Sequence, residues 1–445
     1  MISRRHLLLA ATCLWLVLLA AVVAAPVEAE AASLSAPGAP RATRITSRTA
    51  TVRWNTAAGA TSYEVLRGAV VVARVGPGVR SFTDTTLAPA RWYAYRIAAR
   101  SSAGVRRTDI VPVVTTAAGA CTHWVSSSGN DRGDGSSGDP WRTVSRLTRA
   151  WQPGWVGCLR GSFTEDVSIR SGGTAAAPVT LRSEPGSRAL LTGRLWIADG
   201  ADHVVVSGLS LDGRALAGVT AGDLPSPTVN GDHAVFLGND VYNQRTRICF
   251  DIGSIRGWGT ATGTVLARNR VHDCGERLAS GDGNNHHHGI YVESGRATRI
   301  VQNVVYGNAD RGIQLYPDAQ GTWMLGNVID GNGEGIIFSG AEGYASSGNR
   351  AIGNVVTNSR TRYDVEYWWQ DPRRVGTGNV VARNCVGGGR EGAIDLPAVG
   401  YAVGSNVLAR PSFVDRLAGD LRPRAGSACR ALLTAPGLPL APFRP

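Results

Sequence analysis

The sequence predicts an all-β chain, a parallel β-helix solenoid preceded by a small antiparallel sandwich. Three observations carry that reading. The segments His288-Gly289-Ile290-Tyr291-Val292, Arg311-Gly312-Ile313-Gln314-Leu315 and Glu334-Gly335-Ile336-Ile337-Phe338 place their glycines at a constant step of 23 residues. A fixed step in this range marks stacked repeats. Asn303-Val304-Val305 and Asn327-Val328-Ile329 keep nearly the same beat, and each unit holds two short β-branched runs broken by Gly and Asn. Such runs are too short for helices and suit buried strands. Finally, residues 36–117 alternate at period two around Trp54, Tyr63-Glu64-Val65-Leu66-Arg67 and Tyr93-Ala94-Tyr95-Arg96-Ile97, the pattern of a small sandwich.

The chain opens with Arg4 and Arg5 before an apolar run over 7–23 and an Ala29-Glu30-Ala31 cleavage match. Residues 1–31 are therefore expected to be a signal peptide; Ser3-Arg4-Arg5-His6-Leu7-Leu8 also resembles a twin-arginine signal. No later apolar run is long enough for a membrane span. Within the sandwich, Leu87-Ala88-Pro89-Ala90-Arg91-Trp92-Tyr93 resembles a fibronectin type III domain, with Tyr93 as its tyrosine corner. The module is read as a spacer or docking unit.

After the linker Ala118-Gly119-Ala120, residues 143–151 carry Val144, Leu147 and Trp151 at helical spacing. A solenoid needs its open end covered, so this short helix is read as the N-terminal cap. The preceding loop with Asp131, Asp134 and Asp139 is read as turn chemistry, calcium remaining possible. Strand-sized runs then arrive steadily. Pro178-Val179-Thr180-Leu181, Gly208-Leu209-Ser210-Leu211 and the closing Asp415-Arg416-Leu417-Ala418-Gly419-Asp420-Leu421-Arg422-Pro423 resemble secreted right-handed β-helix proteins, the pectate-lyase-like group. The resemblance covers about 122–435 and implies a right-handed parallel β-helix behind a fibronectin type III β-sandwich.

Seven cysteines occur, and Cys13 lies in the signal segment. Cys121, Cys158, Cys249, Cys274, Cys385 and Cys429 make an even count in an exported chain, which favours disulfides. Cys249 and Cys274 lie about one coil apart and are the preferred pair. The net charge is +12 and all 46 basic residues are Arg, so no lysine base or Schiff base is available. Outside the cell such a charge points to acidic polysaccharide or cell-wall polymer as partner. The scattered basic residues argue against nucleic acid, and a monomer is expected.

Within each coil Ile290/Val292, Ile313/Leu315 and Ile336/Phe338 should point inward and stack. Asn269, Asn303, Asn327, Asn354 and Asn384 recur in one phrase and are read as a structural amide ladder. Stacking also aligns His288, Arg311 and Glu334 just before the shared glycine, with His286 and Asp310 beside them. Tyr291 and Gln314 should face outward, Glu293 and Tyr316 one pleat later, and Trp368-Trp369 could stack sugars. The coil before the triple histidine carries an insertion over 274–284, and loops standing off a rigid scaffold often carry function. Zinc is disfavoured because no spacing fixes a third ligand.

These residues suit β-elimination from a uronate. Arg311 would neutralise the carboxylate, His288 would take the C5 proton with a pKa in the working range, Tyr291 would protonate the leaving oxygen, and Glu334 would orient the others. Pectate-lyase-like relatives often use an arginine or lysine base with calcium. This chain has no lysine, and its arginines should stay protonated. The expected function is thus a secreted, extracellular polysaccharide lyase. The alternatives are a hydrolase using Glu293 and Glu334, or a non-catalytic glycan-binding protein. An Arg311–Glu334 surface ion pair, worth under about 1 kcal/mol, is the plain structural reading of that column. Asp251, Asp364 and Glu366 are further carboxylate candidates.

Overall fold

A computed structural model of the chain describes residues 33–216, 224–276, 286–341, 343–368, 374–434 and 437–443. The signal segment, Trp369 and most of the 274–284 insertion lie outside the described residues. From 122 onward the chain winds through three parallel sheets of 11, 10 and 9 strands, one strand per sheet in each coil. This is a right-handed parallel β-helix. No helix among the described residues is long and apolar enough to cross a membrane.

The period-two alternation of the N-terminal module produces two antiparallel sheets. One holds Arg41–Thr43, Ala50–Arg53 and Ser81–Asp84; the other is built on Ser62–Arg67 and Trp92–Ser101. Trp54, Tyr63, Val65 and Ile97 fill the space between them. The Tyr93 hydroxyl accepts a hydrogen bond from the Ala88 amide at 2.7 Å, as a tyrosine corner would. Of the two readings, spacer or docking unit, the packing has the module docked on the solenoid. Ala90, Trp92 and Val114 pack onto Val205, Val235, Val265 and Val301 of the 11-stranded sheet, and Arg268 Nη2 donates to the Val114 carbonyl at 2.8 Å. Outward-facing valines gain more by burial than by hydration, which is why a second layer settles there.

The expected cap helix runs Val144–Ala150. Asp131 shapes its start, accepting from the Arg142 and Thr143 amides and the Thr143 hydroxyl. Thr143 in turn caps the Arg146 amide. Val144 and Leu147 are fully buried, closing the core.

In the coils, Phe250, Ile290, Ile313, Ile336 and Val365 lie in register on successive strands of the 9-stranded sheet, all with no exposure. The amide ladder is longer than the sequence suggested. It runs Asn239, Asn269, Asn303, Asn327, Asn354, Asn384 and Asn406, each Nδ2 donating to the next Oδ1. A parallel rung, Asn308 on Asn332, lies behind the shared glycines. A Cβ at Gly289 would stand 2.7 Å from Asn308 Nδ2, and one at Gly312 2.8 Å from Asn332 Nδ2. The Gly-Ile phrase therefore records a backbone pressed against buried amides.

Three disulfides join Cys121–Cys158, Cys249–Cys274 and Cys385–Cys429. The preferred pair is present, with Cα atoms 5.6 Å apart. The C-terminal segment lays Phe413, Leu421, Leu433 and Leu440 over Val304, Val328 and Val355 of the 10-stranded sheet. Two outer faces are thus covered by apolar packing, and the 9-stranded sheet carries the cleft described below.

Asn327 receives bonds from the Asn303 amide and side chain and donates to the Ile300 carbonyl. Asn327→Ala is expected to cost roughly 1–3 kcal/mol for each buried group it strands, read as a lowered midpoint in denaturant unfolding. Substitution of exposed Arg132 should leave the midpoint unchanged.

Candidate functional site

A cleft of about 730 Å³ lies on the outer face of the 9-stranded sheet. Strand geometry puts every second residue on that face, and the parallel register aligns them into files. One file reads Trp196, Thr228, Asp251, Tyr291, Gln314, Ile337 and Glu366 on successive strands. Two residues further along each strand come Asn230, Glu293, Tyr316, Ser339 and Trp368, all lining the cleft. Three residues before the first file, at the bend entering the sheet, stand Ile248, His288 and Arg311.

The expected column is present, and its chemistry differs from expectation. Arg311 and Glu334 pair in register, and Arg311 Nε donates to Glu334 Oε2 at 2.8 Å. Their side chains are only 5% and 6% exposed, because the neighbouring coils and Trp368 enclose them. The pair is not a surface bridge. Removing one partner of a buried pair typically costs about 3–5 kcal/mol. Arg311 Nη1 also donates to Gln314 Oε1 at 3.1 Å, and its guanidinium carbon lies 5.7 Å from the Trp368 ring centroid. Glu334 does not line the cleft. It sits behind Arg311, with Arg362 Nε 3.6 Å from its second oxygen, so it orients the guanidinium rather than meeting a ligand. Burial pushes its carboxyl up to about 7 against the pull of Arg311.

His288 is 4% exposed on its side chain yet lines the cleft, as does His286. Its Nδ1 comes within 3.2 Å of Asp310 Oδ2, but neither atom has an aligned hydrogen-bond partner among the described residues. Burial lowers the imidazole to about 4, with Asp310 opposing. The expected titration near neutrality is therefore corrected: His288 is neutral across the physiological range. Asp310 is buried behind it and does not line the cleft. Burial would raise its carboxyl, but His288 and Arg311 beside it hold it low.

Tyr291 packs edge-on against His288, ring centroids 5.4 Å apart, and near-parallel to Tyr316 at 6.5 Å. Burial, then Glu293 and Asp251, drive its phenol well above the usual range, so it keeps its proton.

One residue stands out more than its sequence position signalled. Asp251 lies beside Tyr291 in register, partly open to the cleft, with Oδ1 enclosed and lacking an aligned partner. Burial and then Glu293 raise its carboxyl well above the normal value, and burial also raises Glu293. Asp364 and Glu366 turn elsewhere. Asp364 accepts from Ser359 and Gly389, and Glu366 from Arg362. Trp196, Trp258 and Arg194, which also line the cleft, went unassigned in sequence because unequal coil lengths hide their alignment with Tyr291. Among the described residues no three His, Cys, Asp or Glu side chains are placed together to hold a metal.

A family model described as "NosD: Periplasmic copper-binding protein (NosD)" matches residues 231–388. The chain has the parallel β-helix fold. Similar solved structures include the pectate lyase Pel9A, at 16% identity over 66% of this chain and 82% of that one, TM-score 0.43. A family 28 exopolygalacturonase from Yersinia enterocolitica matches at 11% identity over 85% and 88%, TM-score 0.40. The structure titled FN3tt matches 19% of this chain and 99% of its own at 17% identity, TM-score 0.18. No curated protein matches the chain.

The buried imidazole has a measurable signature. Its folded value of about 4 lies below its ordinary 6.5, so between these values the unfolded chain binds the proton that the folded site refuses. Stability from this group is full above about pH 6.5 and is lost as pH falls toward 4, on the order of 3 kcal/mol in all. His288→Gln should flatten that limb of the stability–pH profile in urea titrations.

Proposed function

We propose that the protein acts outside the cytoplasm on an acidic polysaccharide, cleaving it by β-elimination in this cleft. The carrying observation is that Arg311, a neutral His288 and a protonated Tyr291 meet on the cleft wall in two adjacent coils. Arg311, braced by Glu334 and Gln314, would hold the uronate carboxylate and stabilise the enolate charge that develops on it. His288 would accept the C5 proton without first having to lose one. As the C4–O bond breaks and the C4–C5 double bond forms, Tyr291 would protonate the departing oxygen. Proton return from His288 to the phenolate would restore the site. The exported location is supported by three disulfides. The names of the similar pectate lyase and exopolygalacturonase are in keeping with a polyuronate.

One further reading has its own observation. Asp251 and Glu293 both line the cleft with raised carboxyls, the environment of a glycosidase acid and its partner. Asp251 replaces the previously expected Glu334 in that pair, because Glu334 is engaged behind Arg311.

Incubation with a panel of polyuronates separates these readings. Elimination creates absorbance at about 235 nm, hydrolysis creates reducing ends without it, and a binding protein creates neither. Under elimination, Tyr291→Phe and His288→Gln should each lose product formation by about 10²-fold or more. Arg311→Lys, which keeps a cation beside Glu334, should also lose it by about 10²-fold. The rate should not rise through pH 6–7, since the base is already neutral there. A rate that climbs tenfold per pH unit through that range would remove His288 from the role.

A further inference from the structure

The end of the cleft farthest from Arg311 is built for a ligand that the reaction itself does not need. Trp196 stands three register steps from Tyr291 and four from Gln314, about 19 Å from the latter at about 4.8 Å per step. Its indole N–H donates to Asn230 Oδ1 at 2.8 Å. The guanidinium carbons of Arg170 and Arg194 lie 5.1 and 5.3 Å from its ring centroid. Against it, at 6.2 Å and nearly perpendicular, rests Trp258, which is 59% exposed.

Trp258 is not on a loose loop. The Ser254 amide donates to the Gly259 carbonyl at 2.8 Å, and Arg256 N bonds Ser254 Oγ. At the loop's foot Gly259 is so close to its neighbours that a Cβ would meet the Asn230 carbonyl at 2.7 Å. A pinned, exposed indole beside Trp196 and its two guanidiniums offers a ligand a flat apolar face with a cationic rim. Nearby Asp166 accepts from the Arg194 amide, Asp166 and Asp251 face the Arg194 charge, and Arg194 Nε and Nη2 donate to Pro225 O and Thr228 Oγ1. Arg170 is exposed beside the cleft lining.

We propose that this end is a remote sugar subsite: Trp258 stacks on a pyranose ring and Arg170 with Arg194 holds that unit's carboxylate. The proposal deepens the reading of the cleft as a glycan groove and rests on it. The coil spacing resembles the advance per unit of a 1,4-linked pyranoside chain. Polymer laid along the helix axis therefore reaches Trp258 only with units well beyond the reacting bond. The ligand class is a polyanionic glycan several units long, rather than a short or neutral oligomer.

The test is calorimetric titration of the full-length chain carrying His288→Gln, with and without Trp258→Ala or Arg170→Gln, using a trimer and a hexamer of oligogalacturonate. Both changed side chains are exposed, so folding should be kept; melting curves check this. Trp258→Ala should weaken hexamer binding on the order of tenfold and leave trimer binding unchanged. Arg170→Gln should weaken the acidic hexamer and not its methyl-esterified form. The same pair of substitutions in the wild-type background, followed at about 235 nm, reads turnover. Length-dependent loss of binding without any elimination product would keep the subsite and sink the lyase reading. Equal losses for both lengths, no loss for either, or no binding by either oligomer would overturn the subsite.

Discussion

The structure depends on one constraint, the register of each coil on the next. In a parallel solenoid every strand is bonded on both sides, so a slip of one residue would turn every inward side chain outward. Two buried devices hold the register here. The ladder from Asn239 to Asn406 joins coil to coil through side-chain amides, and each rung also satisfies a backbone amide of its neighbour. The second rung, Asn308 on Asn332, leaves room only for glycine at 289 and 312. Buried polar groups without partners are expensive, so these amides enforce one alignment where apolar stacking alone would tolerate several.

From that alignment the position of the cleft follows. All three sheets present outward side chains, and their composition decides what each face does. Val205, Val235 and Val265 invite the sandwich; Val304, Val328 and Val355 invite the C-terminal segment. On the 9-stranded sheet the corresponding positions hold Asp251, Tyr291 and Gln314, which no apolar layer would bury without penalty. Among the described residues, that face carries the cleft.

Register also brings like and unlike charges together out of water. His288, Asp310 with Arg311, and Glu334 stand at the start of three successive strands of one sheet, and the distances of 2.8–3.7 Å between neighbours are set by the coil spacing. Low exposure makes these interactions stronger than on a surface, and it also bears on the protonation states: burial outweighs the Asp310 carboxylate beside His288 and lowers its imidazole, while Arg311 stays paired with Glu334. The same enclosure that stabilises one charge pair prepares a neutral base beside it.

Much of this was legible in the chain. The 23-residue step of the glycines, the asparagine phrase and the period-two alternation are local patterns, and they suffice to say which residues stack, which face inward, and that His288, Arg311 and Glu334 share a column. The cap helix is legible in the helical spacing of Val144, Leu147 and Trp151, and the one-coil separation of Cys249 and Cys274 made them the preferred pair among those the six cysteines allow. What the column does chemically was decided by tertiary packing. Burial of Arg311 and Glu334, the depressed imidazole of His288 and the withdrawal of Glu334 from the cleft depend on neighbours such as Trp368 and Arg362, which belong to the following coils. Asp251 was legible only as a candidate carboxylate, and Trp196 and Trp258 not at all, because the coils carrying them have different lengths, so their alignment with Tyr291 exists only in the register. Period is a property of neighbours along the chain; electrostatics and access are properties of neighbours in space.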